Sequence, residues 1–347
     1  MDINLLSDLS NADSIASNEK EVRNIIKNAL KMYANDFSYD GLGSLMVTKR
    51  SSVEDAPTVM FASHLDEVGF MIRNISDIGF AYLMAVGGVE DRAKINQPVR
   101  VTTQSGKKIT GLMNVIKNTD GQIEDMYVDF GFDSREAVLK AGINIGDMVV
   151  FDSQFKRLAE SDTVMGKAMD DRAGDFALIN AMQKIAKLDL KVNVVAAFTS
   201  SEEVGCRGAK LCSYLKKPDL FFAVDVAKHP ELDRGFTNHR KLGYGPMLEF
   251  YDKTMIPNRK LINYLNELAT KNKIPYQHDM FKGGGTDAAT AHLENGGTVS
   301  AVLGFPIKYC HDPHSFANLK DFSNMSKLIV TIAQSLSEQQ IKDFYTY

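Results

Sequence analysis

Three cysteines in 347 residues, with no Cys-x-x-Cys pair among them, leave this chain without a disulfide framework. Cys206, Cys212 and Cys310 are odd in number and cannot all pair. Long apolar runs are missing as well. None approaches the ~20 residues that a membrane span needs, so no membrane-embedded function is expected. The opening residues Met1-Asp2-Ile3-Asn4 lack the basic and apolar stretches of a signal peptide, and the expected location is the cytoplasm. Positive charge is not in excess either. With 40 Lys and Arg against 44 Asp and Glu the net charge is −4, and no basic stretch is dense enough for a nucleic-acid face. Internal repeats and low-complexity segments are also absent. What is present is ordinary core material: 44% apolar and 24% charged residues, near the average of folded domains.

Apolar positions at Val22, Ile25, Ile26, Ala29, Leu30 and Tyr33 recur at helical spacing. Asn18, with Glu21 three residues on, predicts a capping box at the start of that helix. Thr58–Ser63 reads as a short strand that delivers His64 at its end. Beyond Gly69 the texture changes. Glycines from Gly79 to Gly146 divide the chain into short segments such as Val99–Thr103, Met126–Phe130 and Met148–Phe151, the pattern of a small β-barrel or sandwich. From Asp170 onward helices and strands alternate. Helices are expected over 171–187, 206–216, 258–273, 287–295 and 321–337, with strands at 192–199, 220–225 and 299–303. Strands that are apolar throughout, with helices between them, imply a mainly parallel sheet with helices on both faces. The expected architecture is an α/β domain built from 1–69 and 163–347, interrupted by a β-rich, barrel-like insertion at 70–162.

Ligands of an open α/β sheet bind beyond the carboxyl ends of its strands. Seven motif residues fall there or at a helix start: His64 with Asp66, Asp170, the pair Glu202–Glu203, Asp225 and His311. Each has an ordinary explanation when taken alone. His64 could be a strand-end imidazole bonded to a neighbouring carboxylate, and Asp170 could merely favour a helix N-terminus. Together they are harder to dismiss, because unpaired buried charges are costly. A pair of divalent ions is a shared partner suited to these ligand types. In that reading His64 binds metal while Asp66 fixes its tautomer, and Asp170 bridges two cations. Adjacent carboxylates at 202 and 203 repel each other unless their tasks differ: one can ligate while the other serves as general base. The constellation points to a two-metal hydrolase.

Other motifs weigh less. His314, three residues past His311, is an alternative ligand, whereas His229, His239, His278 and His292 read as surface or core. Gly283-Gly284-Gly285-Thr286-Asp287 superficially resembles a phosphate-cradling loop, but it lacks a Gly-Lys-Ser/Thr ending and carries an acid where phosphate would be repelled. A turn into a helix capped by Thr286 or Asp287 is expected instead. Cys310 beside His311 invites a thiol-nucleophile reading, but neighbours on a strand point opposite ways, which argues against it.

In this order, His-Leu-Asp-Glu-Val-Gly, Met-Asp-Asp-Arg-Ala-Gly, Glu-Glu-Val-Gly-x-Arg-Gly-Ala, Gly-Gly-Gly-Thr-Asp-Ala and Tyr-x-His resemble the M42 metallo-aminopeptidases, especially the glutamyl aminopeptidase branch. The likeness covers nearly the whole chain. It implies a binuclear zinc or cobalt exopeptidase that trims N-terminal residues from peptides, with acidic residues accepted. His64 and Asp225 would ligate one metal, and Glu203 and His311 the other, with Asp170 bridging, Glu202 as general base and Asp66 orienting His64. The resemblance further implies dimerisation through the inserted domain and assembly of dimers into dodecamers. An acidic substrate side chain requires a cation near the pocket, and Lys282, Arg240 and Lys241 are the candidates. Two departures stand out. Ser201 precedes the Glu pair where many members have Gln, and His311-Asp312-Pro313-His314 replaces a His-Ser-Pro pattern. Rival readings are a two-metal amidase, deacylase or carboxypeptidase, and a catalytically dead scaffold.

Overall fold

Alternation along four apolar strands decides how this molecule is layered. The computed structural model describes residues 1–34, 36–158, 160–229, 240–280 and 283–346. In it, Thr58–His64 lies parallel between Asn193–Thr199 and Leu220–His229, and the latter pairs in parallel with Val299–Lys308. Successive side chains leave a strand on opposite faces. Accordingly Val59, Phe61, Phe222, Val224 and Leu303 enter one core with the helices Met169–Ile185 and Leu319–Ser335. Met60, Ala62, Phe221, Ala223 and Val302 enter another with Ala209 and Cys212 of helix Arg207–Lys216 and with Ala288 and Ala291. Phe61 stacks on Phe222 at 5.0 Å between ring centroids. Burying one such side chain stabilises the fold by about 1.5–3 kcal/mol. Among the described residues the sheet has eleven strands, with antiparallel members such as Leu45–Lys49 outside the parallel centre.

The expected mainly parallel sheet with helices on both faces is therefore present, and so is the barrel. Gly69–Ile75, Phe80–Val86, Gln97–Thr102, Lys108–Lys117, Ile123–Asp129 and Met148–Phe151 close on themselves. Phe70, Leu83, Val99, Val101, Met113, Val128 and Val149 fill its interior and form a core separate from that of the large sheet. Closure removes the unpaired edges that short strands otherwise present. The chain then returns to the large sheet at Lys156–Arg157, which pairs with Thr163–Gly166.

Local details depart from expectation in instructive ways. The second helix starts at Lys20, and Glu19, which makes no side-chain cap, holds the N-cap position. Asn18 and Glu21 form no capping box, because Glu21 accepts instead from the Asp13 amide and pairs with Lys108 of the barrel at 2.8 Å. The helix expected over 287–295 shrinks to Ala288–Ala291 plus a short 3₁₀ turn. Thr286 caps it at 3.3 Å, while the Asp287 carboxylate accepts a hydrogen bond from Thr199.

A dense ionic joint ties barrel, helices and sheet together around Ala12–Ser14. Lys167, fully buried, donates to Ala12 O and Glu67 Oε1 at 2.6 Å each. Arg172, equally buried, donates to Leu9 O at 3.1 Å and Leu65 O at 2.8 Å. From the barrel side, Arg100 grips the Asp13 carboxylate through Nε at 2.9 Å. Burial alone would raise the Asp13 pKa, yet Arg100, Lys167 and Lys108 hold it well below the usual carboxylate range. Every charge in this joint has an opposite partner.

Candidate active site

At the carboxyl ends of the parallel strands the charge balance reverses. His64 ends its strand with the imidazole buried. Its Nδ1 donates to the backbone carbonyl of Asp66 at 3.0 Å, which leaves Nε2 facing Asp170 Oδ1 at 2.9 Å. His311 repeats the arrangement. Its Nδ1 donates to the carbonyl of Gly88, a barrel-side residue, at 2.8 Å, and Nε2 faces Asp170 Oδ2 at 3.1 Å and Glu203 Oε1 at 3.4 Å. A carbonyl can only accept, so both rings carry their proton on Nδ1 when neutral and present Nε2 as the ligand atom. Asp170 thus offers one oxygen to each imidazole, the disposition expected of a bridging group.

Asp66 works differently from the expectation that its carboxylate orients His64. That carboxylate lies 3.6 Å from His64 Nδ1 and instead accepts the backbone amides of Glu202 at 2.9 Å and Glu203 at 3.1 Å. It pins the turn that presents both glutamates, while its main-chain carbonyl orients the imidazole. Asp225, at the end of an apolar stretch, converges with His64 and with Asp171. The expected helix opening at Asp170–Asp171 is irregular, with extended torsions at Asp170. Gly174 lets this segment pack closely, since a Cβ there would collide with the Asp171 carboxylate and the Val224 carbonyl.

Crowding acids in a buried place disturbs their titration. Burial foremost, then the charge of Asp170, pushes Asp225 up to about 7. Glu203 is pushed up to about 8 by burial and Asp170, despite the opposing pull of His311. Glu202 and Asp171 are raised well above the ordinary range by burial and by neighbouring carboxylates. Asp170 alone goes down, because bonds from His311 and His64 outweigh its burial.

This donor set fits divalent cations. Three triads bring potential ligand atoms within 4.8 Å of one another: His64, Asp171 and Asp225; His64, Asp170 and Glu203; and Asp170, Cys310 and His311. Glu203 Oε1 is buried without a hydrogen-bond partner among the described residues. Imidazole and carboxylate donors suit zinc, cobalt or manganese, and added positive charge would relieve the mutual repulsion. All five ligand candidates read from sequence, together with Glu202, meet here. Glu202 Oε2 lies 3.9 Å from His64 Nε2.

Sequence reasoning missed Asp171, the carbonyls of Asp66 and Gly88, and the contribution of the barrel. Arg92, inside the expected insertion, holds Asp312 through Nε at 3.1 Å and so anchors the loop of His311. The substrate-side cations fare otherwise. Arg240 donates to Asp279 Oδ1 at 2.8 Å, and exposed Lys241 lies over the Tyr244 ring at 5.3 Å. Lys282 and His239 lie outside the described residues. His314 is exposed beside Tyr309 and Phe316 and joins none of the three triads.

A parallel sheet with an acid- and imidazole-rich centre at its carboxyl edge, and a barrel inserted beside it, defines a class of peptidases. The family described as M42 glutamyl aminopeptidase matches residues 43–328, and the chain belongs to it. It is accordingly an aminopeptidase, a hydrolase of peptide bonds. It is 33% identical to a glutamyl aminopeptidase of Lactococcus lactis, covering 95% of both chains. It is also 31% identical to a lysyl aminopeptidase of Pyrococcus furiosus over 91% of each. Among solved structures it resembles the Pyrococcus horikoshii TET1 peptidase, with a TM-score of 0.87, 30% identity, and coverage of 96% of this chain and 99% of that one. That peptidase is described as assembling into a tetrahedron or a large octahedral shell. Among the described residues no helix is long and apolar enough to cross a membrane.

Proposed function

We propose that this aminopeptidase is binuclear and metal-dependent, hydrolysing N-terminal residues from peptides with two divalent ions, zinc or cobalt. The observation that carries the reading is Asp170, whose two oxygens face two imidazoles already committed through Nδ1 to backbone carbonyls. His64 and Asp225 would hold one ion, Glu203 and His311 the other, with Asp170 between them. The ions would supply Lewis-acid polarisation of the scissile carbonyl and make water a better nucleophile. Glu202, raised in pKa and held at the rim of the cluster by Asp66, accepts the proton of the attacking water and returns it to the leaving amine. Asp66 is the positioning residue for that turn.

We also assign 1–69 and 163–347 to a discontinuous catalytic domain and 70–162 to an assembly module that forms dimers and, through them, dodecamers. Exposed Met84, Leu112, Ile116 and Leu139 on the module support self-association, as does the shell-forming relative. A preference for acidic N-terminal residues is the finer part of the reading. With Arg240 engaged by Asp279, it would rest on Lys241 or Lys282, and relatives named for glutamyl and lysyl activity bracket the possibilities.

The deciding experiment measures hydrolysis of Glu-, Lys-, Leu- and Ala-anilides against N-acyl amino acids, after chelation and after restoring Zn²⁺ or Co²⁺. Anilide cleavage that vanishes on chelation and returns with metal is expected. Cleavage of N-acyl amino acids in its place would favour the deacylase rival, and full activity after complete metal removal would defeat the two-metal mechanism.

A further inference from the structure

Cys310 was expected to point away from His311, as neighbours on a strand do. It does not. Tyr309 and His311 both take positive φ, 59° each, so extended alternation is broken on either side of the cysteine. As a result Cys310 Sγ lies 3.0 Å from Asp170 Oδ2, the same oxygen that His311 Nε2 approaches at 3.1 Å. On the other side of His311, Glu203 Oε1 lies 3.4 Å from Nε2 and has no hydrogen-bond partner among the described residues, although its side chain is only 6% exposed. Sulfur, imidazole and the Asp170 carboxylate therefore bring donor atoms within 4.8 Å of one another, and Cys310 is itself buried.

We infer that Cys310 is a metal ligand of the Glu203–His311 site, binding as thiolate beside Asp170. The inference rests on the two-metal reading and adds a donor which that reading does not assign. On ion binding the thiol proton leaves to solvent and a metal–sulfur bond forms, with no change in oxidation state. The consequence is selectivity. Carboxylate and imidazole donors accept manganese, cobalt or zinc, whereas a soft sulfur donor shifts preference toward zinc. The two cations would then occupy unlike sites: an oxygen- and nitrogen-lined one at His64 and Asp225, and a sulfur-containing one at His311.

The test uses the full-length protein loaded with zinc, with bound ions counted by elemental analysis. X-ray absorption at the zinc edge should show a sulfur scatterer at about 2.3 Å. The cobalt-loaded protein should show a thiolate-to-metal charge-transfer band. Both signatures should vanish in Cys310→Ser and persist in Cys206→Ala, the control for the other thiol near the centre, whose Sγ lies 3.2 Å from Glu202 Oε1. Zinc affinity in Cys310→Ser should fall by about tenfold or more, with manganese affinity changing less. Two bound ions with only nitrogen and oxygen scatterers would overturn the inference and leave the two-metal reading standing. A sulfur signature that survives Cys310→Ser would overturn it as well. Failure to bind any ion would remove both. If Cys310→Ser does not fold, the scatterers of the wild-type protein decide the matter.

Discussion

Two of the buried charge clusters among the described residues are opposites. At the joint around Ala12–Ser14, Asp13 and Glu67 meet Arg100, Lys167 and Arg172, so each anion faces a cation. At the strand ends, Asp170, Asp171, Glu202, Glu203 and Asp225 crowd around two imidazoles, and most of these acids are driven toward protonation. The balanced cluster needs nothing from outside. Under the two-metal reading the unbalanced one is completed by added positive charge, so that one region would carry stability and the other chemistry.

The largest expected effect belongs to the centre. Glu202→Gln should lower kcat by at least about 100-fold with metal still bound, the usual scale of general acid–base catalysis. Asp170→Ala should release both ions and abolish activity. Kinetics paired with metal analysis checks the two together, and joint loss of metal and activity in Glu202→Gln would move the base elsewhere. In chelated protein Glu202→Gln should cost no stability, whereas Asp170→Ala should destabilise, because it removes the carboxylate that His64 and His311 hold down.

Next comes the joint, where Arg172→Met or Lys167→Met leaves Glu67 short of a partner. Breaking a buried pair costs about 3–5 kcal/mol, to be read from denaturant unfolding of chelated protein. If these variants unfold like wild type, the contrast between the clusters is wrong.

Single carboxylate removals should change stability in opposite directions. In chelated protein Asp225→Asn should stabilise, because it removes a repelling charge, whereas Asp13→Asn should destabilise, each by about 1 kcal/mol or more. The Asp13 effect has a defined pH dependence. Its folded pKa lies below the unfolded value of 3.8, so its stabilisation is present above about pH 4 and is lost as pH falls further. The gap between wild type and Asp13→Asn in thermal unfolding should therefore narrow steadily as pH falls below about 4. A gap that widens on acidification would reverse the assignment.

The smallest effect tests whether the barrel touches the centre. Gly87 sits at φ 80°, and a Cβ there would lie 3.2 Å from Glu203 Cβ. Gly87→Ala should cost about 1 kcal/mol of backbone strain and weaken metal binding about tenfold, as titration calorimetry would show. Unchanged affinity would confine the barrel to assembly.

The sequence reveals the layered sheet, the barrel and the ligand candidates because each obeys a local rule. Apolar strands end in acids, and glycines punctuate the insertion. The remainder depends on contacts between segments far apart in the chain. No local pattern marks Lys167 and Arg172 as buried, and only folding sets them against Leu9, Ala12 and Leu65. The capping box at Asn18 failed because Lys108, far along the chain, competes for Glu21. Cys310 escaped notice because the argument against it assumed an extended backbone that Tyr309 and His311 do not adopt. Asp66 was assigned to the right neighbourhood but the wrong atoms.

The bond from His311 to the Gly88 carbonyl has a consequence for how such molecules can be recombined. A barrel transplanted from a relative would bring its own main chain to that spot, and a register error of one residue would swap the acceptor for a donor or remove it. Chimeras that respect the proposed boundaries at 70 and 162 but alter the Gly87–Gly88 turn should fold and fail to hold the imidazole. The inheritable unit is therefore body and barrel together, with that turn as the part that cannot be exchanged independently.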